Sequence, residues 1–242
     1  MKKVHLALFI AGFLFSKNQI DIKNSANKMS NVNNKSLITT SSFSEKEASM
    51  ALKETLEIGI QKGIESLSIT DGFFKNSKVR IPFPPEAIGA SKKLKKRGFA
   101  KEVDQLILSI NRAAEDAVAS SKSIFLKSLK QMIIKDAIGI VNGNNSAATD
   151  FLYKTTNVDL FNAFKPQIIV SLEKVDAIMH WKNIMEIYHD TPIVIKINPD
   201  LESHVTDKAI NALFHMIAEE EIDIRTNANK RTTDLLNKVF SN

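Results

Sequence analysis

Along most of the chain, apolar residues recur three and four positions apart, which is typical of α-helices with one buried face. The first clear case begins at Ser44, because Ser44 and Glu47 fit the S-x-x-E pattern of an N-terminal capping box. Its apolar positions are Ala48, Ala51, Leu52, Leu56, Ile60, Ile64 and Leu67. Gly59 and Gly63 lie four residues apart on this helix and predict the close approach of another helix. We expect the helix to end near Ser68.

The same period predicts further helices down the chain. They cover about 86–97, 99–120, 123–134, 136–141, 146–172, 175–188 and 201–225, and a short last helix is capped by Thr232 or Thr233. Pro166 is expected to break its helix or to occupy a first turn, because proline lacks an N–H. Residues 193–197 have a strand-like composition but no partner of similar length, so we expect an extended linker. The sequence therefore predicts an all-α fold, a single multi-helix domain.

An irregular stretch rich in aromatic residues and prolines follows the first helix. Residues 71–85 have the sequence DGFFKNSKVRIPFPP, and their prolines withhold backbone donors. The apolar side chains would be unusual in a solvated loop, so we expect this loop to pack onto the helices. Phe83, between two prolines, is predicted to lie in the core. Phe73 or Phe74 is predicted to be partly exposed, because adjacent side chains rarely point the same way.

The N-terminus predicts export. Two lysines precede an apolar run, Val4 to Phe15, which is too short for the roughly 20 residues of a bilayer span. It fits the apolar region of a secretory signal peptide over residues 1–16, and an uncleaved anchor or a buried helix is the alternative. Cleavage after Ser16 would remove two lysines from the formal net charge of +6 and leave +4. Residues 17–44 are rich in Asn, Ser and Thr, which predicts a flexible tether before a helical domain at 45–242. We expect a location in the periplasm or cell envelope, without a lipid anchor on cysteine.

Composition excludes several classes of protein. The chain has 242 residues, of which 43% are hydrophobic and 25% charged, and this describes a globular protein. Because cysteine is absent, disulfide frameworks, zinc fingers, iron–sulfur clusters and thiol nucleophiles are excluded. His204 and His215 would lie about 16 Å apart along one helix, too far to share an ion. With no glycine-rich phosphate loop and no nucleophile motif, we predict no cofactor and no metal.

Four polar residues and two aromatic residues are the candidate ligand-binding set: Arg80, Asn111, Arg112, Glu115, Phe73 and Phe74. In one interpretation the polar residues form hydrogen bonds and ion pairs that fix how the helices pack, as do Asp150, Lys154, Arg225 and Arg231. In the other, Arg80 and Arg112 hold an anionic headgroup at the mouth of a pocket.

A basic cluster at residues 92–97, with Lys101, is the strongest concentration of charge. A solvated helix end explains it, and contact with a lipid surface is the second interpretation. Since no nucleic-acid motif contains this cluster, we expect no nucleic-acid partner.

Several blocks of sequence resemble those of a known family in the same order. They are DGFFKNSKVRIPFP, ILSINRAAEDAV, SIFLKSLKQM, AATDFLYKTT, VTDKAINALFHMIAEEEIDIRTN and RTTDLLNKVF. Over roughly Ala48 to Phe240 the chain resembles the domain of unknown function 4197 family. The resemblance implies a helical bacterial protein directed to the cell envelope, and it brings no catalytic motif.

Two hypotheses of function follow. The first is a non-enzymatic binding protein that holds a lipid, peptide or protein partner of the envelope in an apolar groove. The alternative is an envelope hydrolase or transferase that uses Asp71, Glu115 or Asp150 as general acid or base. The alternative requires two of these carboxylates in one cleft with separated pKa values.

Overall fold

The structure is a computed structural model that describes residues 42–192 and 194–241. Over these residues it contains nine α-helices, two single-turn 3₁₀ helices and no β-strand, which confirms the all-α prediction. The predicted signal peptide at 1–16 and the tether up to residue 41 lie outside the described residues.

The helices follow one another through short connections. They are α1 Glu45–Leu67, α2 Ile88–Lys96, α3 Ala100–Ser120, α4 Lys122–Gln131, α5 Ala137–Val141, α6 Ala147–Lys174, α7 Ala177–His189, α8 Leu201–Thr226 and α9 Asp234–Phe240. The 3₁₀ helices are Pro85–Ala87 and Ala228–Lys230. Residues 194–200 have no regular secondary structure, as expected for a linker.

The start of α1 carries the predicted capping box. The Glu47 N–H donates to Ser44 Oγ over 3.2 Å, and the Ser44 N–H donates to Glu47 Oε2 over 2.9 Å. Phe43, just before the cap, is buried with 5% exposure and belongs to the hydrophobic core. An apolar residue in this position packs onto the first turn of its helix. The packed part of the chain therefore includes Phe43, which the sequence pattern assigned to the tether.

Helix α8 lies against α1 at the two glycines of α1. A Cβ atom at Gly63 would lie 2.7 Å from Leu213 Cδ1, and one at Gly59 would lie 3.2 Å from the Cα of Ile217. Both distances are shorter than an ordinary van der Waals contact, so the glycine pair allows the two helices to approach closely, as predicted. Helix α8 also packs against α6, and α6 against α3.

Two predicted helix boundaries are wrong. Helix α6 continues through Pro166, because Pro166 and Asn162 lie on its exposed side, where water can replace the hydrogen bond that proline removes. Helix α4 ends at Gln131 instead of Ile134, because Met132 adopts an extended backbone and buries its side chain.

One turn of α8 connects the ends of two other helices. Glu221, fully buried, accepts hydrogen bonds from the N–H groups of Ala148 at 3.0 Å and Thr149 at 2.7 Å, in the first turn of α6. Arg225 donates to Glu221 at 2.8 Å and to the carbonyls of Val141 at 2.6 Å and Ile140 at 3.1 Å, at the end of α5. A carboxylate at a helix N-terminus and a cation at a C-terminus both complement the helix dipoles. Arg225 therefore fixes how the helices pack, as the first interpretation of the polar candidates predicts.

Replacing Glu221 with alanine is expected to lower the free energy of unfolding by about 3–5 kcal/mol. The variant leaves the first amides of α6 without their acceptor and the largely buried Arg225 without its carboxylate partner. Glu219→Ala is the matched control, because Glu219 is 38% exposed, pairs with the exposed Lys78 and should cost about 0–1 kcal/mol. Urea unfolding followed by circular dichroism measures both, and equal losses would contradict the assignment.

Candidate binding site at the loop after the first helix

The loop between α1 and α2 is attached to α3 by a buried asparagine. The Ile81 N–H donates to Asn111 Oδ1 over 2.9 Å, and Asn111 Nδ2 donates back to the Ile81 carbonyl over 2.9 Å. The same Nδ2 group donates to the carbonyl of Ile107 over 2.7 Å. Asn111 has no exposed surface, so its side chain pairs with Ile81 as a neighbouring strand would.

One turn further along α3, Glu115 holds the start of the loop. Its Oε1 atom accepts the N–H groups of Phe73 at 3.1 Å and Phe74 at 3.2 Å. Its Oε2 atom accepts Nη1 of Arg112 at 2.6 Å. Glu115 is only 4% exposed, and burying its charge is costly. The three hydrogen bonds compensate for that cost.

Arg112 connects Glu115 to the loop through Asp71. Nη2 of Arg112 donates to Asp71 Oδ1 over 2.7 Å, and Lys75 pairs with the other oxygen of Asp71 at 2.8 Å. Hydrogen bonds from Lys75 and Arg112 lower the pKa of Asp71, and those to Glu115 and Asp71 raise the pKa of Arg112. Asp71 has a left-handed backbone with φ of 70°, a conformation that Asp and Asn adopt more readily than other residues with a Cβ atom.

The histidine of α8 that faces the loop contributes one more attachment. Nε2 of His204 lies 3.0 Å from the Pro82 carbonyl, and this contact requires the imidazole to donate. Burial lowers the pKa of His204, so the neutral ring with a proton on Nε2 accounts for the contact. No group of three His, Asp or Glu residues is placed to share a metal ion in the described part of the chain.

The aromatic residues of the loop divide between the core and the surface. Phe73 is fully buried and Phe83 is 3% exposed, whereas Phe74 is partly exposed. The ring of Phe83 packs on Trp181 of α7, with centroids 5.8 Å apart. Phe83 is therefore a core residue and Phe74 the partly exposed one, as predicted. Phe73 is buried, and its backbone N–H donates to Glu115.

The two arginines of the expected anion site have different roles. The guanidinium carbon of Arg80 lies 4.6 Å from the centre of the Phe74 ring, and that of Arg112 lies 5.8 Å away. Arg112 already binds two carboxylates, so the predicted pair of arginines around one headgroup is not formed. The exposed Arg80 guanidinium donates to no acceptor within the described residues. Stacking on Phe74 therefore holds a cation whose hydrogen-bond donors are unused.

Beside Arg80 lies an open groove of about 840 Å³ between the loop, α2 and α3. Its lining comprises Phe74, Lys75, Ser77, Arg80, Pro82, Lys95, Asp104 and Ile107. Lys75 pairs with Asp71 and Lys95 pairs with Asp104. Among the described residues, Arg80 is thus the groove cation that lacks a hydrogen-bonding or ion-pair partner.

A family model described as a protein of unknown function, DUF4197, matches residues 42–241. The chain belongs to the DUF4197 family. The DUF4197 match starts at Ser42, in agreement with the burial of Phe43. No curated protein and no solved structure matches the chain. Within the described residues, none of the helices combines the length and apolar character that crossing a bilayer requires.

For two residues of this DUF4197 protein, Glu221 and His204, the sequence did not predict the contacts that the structure shows. Glu221 is one of three consecutive glutamates, a pattern typical of a solvated helix face, and only the tertiary structure shows its burial. His204 was considered only as a metal ligand, although it holds Pro82. Of the other candidates, Arg231 donates to the Ile224 and Arg225 carbonyls near the end of α8, and Asp150 accepts from Ser146 at the start of α6.

Alanine substitutions at the three loop phenylalanines should separate core from groove. Phe73→Ala and Phe83→Ala are each expected to lower the free energy of unfolding by about 3–5 kcal/mol, because each leaves a cavity. Phe74→Ala should cost only about 1–2 kcal/mol, since part of its ring already contacts water. Urea unfolding measures all three. Equal losses of unfolding free energy in the three variants would show that Phe74 is a core residue and would contradict a surface site in which Arg80 stacks on Phe74.

Proposed function

We propose that this DUF4197 protein is an exported, non-enzymatic binding protein whose loop groove holds a ligand with a phosphate or carboxylate group. The observation that carries the proposal is Arg80, an exposed guanidinium stacked on Phe74 with its donors unused among the described residues. The ligand belongs to a lipid, peptide or protein of the cell envelope.

The geometry of the groove fits an anionic group joined to an apolar one. A planar guanidinium binds phosphate or carboxylate through two parallel hydrogen bonds. The side chains of Phe74, Pro82 and Ile107 line the same groove and offer contact to an apolar portion of the ligand. Because Asn111 and Glu115 hold the loop backbone, little conformational entropy is lost when the ligand binds.

The carboxylates of the site support binding more than acid–base chemistry. Asp71 and Glu115 both bind the same guanidinium, that of Arg112, and Asp104 pairs with Lys95. The pKa of Asp71 is lowered, whereas a general acid at neutral pH needs a raised pKa. Asp150 lies at the start of α6, whereas Asp71 lies in the loop after α1 and Glu115 lies on α3.

Export is the second part of the proposal. It is supported by the basic and apolar pattern of residues 1–16, which fits a signal peptide. We expect the mature chain in the envelope fraction to begin at Lys17, as measured by its intact mass. A chain that retains Met1 and is found only in the cytosol would contradict export.

Native mass spectrometry of the protein purified from its own host tests the groove. The wild-type chain is expected to retain an anionic ligand, and Arg80→Gln is expected to lower the retained fraction at least about tenfold. Lys78→Gln is the matched control, because Lys78 lies in the same loop but pairs with Glu219 of α8 instead of lining the groove. The proposal fails if Arg80→Gln retains as much ligand as Lys78→Gln, or if the wild-type chain retains none.

A further inference from the structure

One face of α2 carries lysines that the fold does not use. Ala90 and Leu94 point inward and are buried, whereas Lys92, Lys93 and Lys96 are exposed on the opposite face. Positions i, i+1 and i+4 of a helix fall within about 100° of arc, so the three ammonium groups lie side by side. None of them forms an ion pair or a side-chain hydrogen bond with another described residue. We call these three residues the α2 lysine face.

Other exposed residues of α2 and of the start of α3 accompany the α2 lysine face. Ile88 lies in the first turn of the same helix on the same side and is 41% exposed. Lys101, exposed at the start of α3, adds a further cation without a described partner. On the flank, Lys95 lines the groove that contains Arg80. Because Lys95 pairs with Asp104, the unpaired charge of this surface comes from the α2 lysine face and Lys101.

We propose that the α2 lysine face docks on the surface of an anionic phospholipid bilayer. Lysine ammonium groups are compact, hydrated charges that attract anionic headgroups without a fixed geometry. Each basic residue near such a surface strengthens the attraction, and the effect falls off within a Debye length. The exposed Ile88 reaches the boundary between headgroups and acyl chains, as apolar residues of interfacial helices do.

The features of the face favour a bilayer over other acidic partners. The face carries lysine instead of arginine, so it lacks the bidentate donors that select single phosphates. None of the three lysines or Ile88 provides an aromatic platform for nucleic-acid bases. Docking is independent of the groove ligand, because it requires only the charges of α2.

A second set of exposed lysines supplies a matched control. Lys122, Lys127 and Lys130 on α4 are also without ion-pair partners in the described residues. The surface beside α4 differs, because the groove next to it contains the carboxylate of Asp159. Replacing either trio with glutamine removes the same charge from the chain, so a comparison of the two separates local docking from attraction by net charge.

Vesicle co-sedimentation of the full chain tests the proposal. The vesicles contain phosphatidylcholine alone, or phosphatidylcholine with about one third phosphatidylglycerol to reproduce an anionic leaflet. On anionic vesicles, the triple variant Lys92→Gln, Lys93→Gln, Lys96→Gln is expected to lose at least about tenfold in partition coefficient. The variant Lys122→Gln, Lys127→Gln, Lys130→Gln is expected to bind as the wild type does. On neutral vesicles the three chains should have the same partition coefficient, because any binding through the apolar N-terminus is common to all three.

Three results would overturn the proposal. Equal losses in the two triple variants would show attraction by net charge alone, and an unchanged partition coefficient for the α2 variant would show that α2 does not dock. A fall in the binding of the α2 variant to duplex DNA, with vesicle binding unchanged, would likewise reassign the face to nucleic acid. Ligand retention in native mass spectrometry does not require vesicles, so failure of this proposal is distinguishable from failure of the groove.

Discussion

The backbone of the loop at 71–85 can be buried only because α3 supplies its missing hydrogen-bond partners. A buried N–H or carbonyl without a partner costs about 1–3 kcal/mol, and a loop with three prolines cannot satisfy its own groups by forming a helix or a strand. Asn111 pairs with both backbone groups of Ile81, and Glu115 accepts the amides of Phe73 and Phe74. These contacts let Phe73 and Phe83 enter the core and leave Phe74 at the surface under Arg80. The shape of the candidate groove follows from them.

The same physical solution recurs at the other end of the fold. Glu221 satisfies the first amides of α6, and Arg225 satisfies the last carbonyls of the five-residue helix α5. A helix as short as α5 is not stable by itself, so its position depends on such tertiary contacts. In both places a charged side chain is buried where it forms hydrogen bonds with backbone groups that would otherwise have no partner. Buried polar residues of this kind fix one arrangement of helices that apolar packing alone would leave less specific.

Much of this architecture could be predicted from the sequence, because helical periodicity, capping residues and paired glycines are local signals. The capping box at Ser44 and the close contact at Gly59 and Gly63 are examples. The partners of polar side chains are not local, since Asn111 meets a residue thirty positions earlier in the chain. The sequence identified Arg112 as a candidate binding residue but could not show that Asp71 and Glu115 occupy its donors. Pro166 was misjudged for a related reason, because its cost depends on which side of α6 faces water.

Hydrogen exchange at the amides of Phe73, Phe74 and Ile81 tests most directly whether α3 holds the loop. These amides should be protected in the wild-type chain to an extent comparable with those of α3, because each donates to a buried or nearly buried acceptor. Glu115→Ala should release the amides of Phe73 and Phe74, and Asn111→Ala should release that of Ile81, while the amides in the middle of α8 stay protected. Exchange at all three amides as fast as at the exposed Ser77 in the wild-type chain would contradict the account.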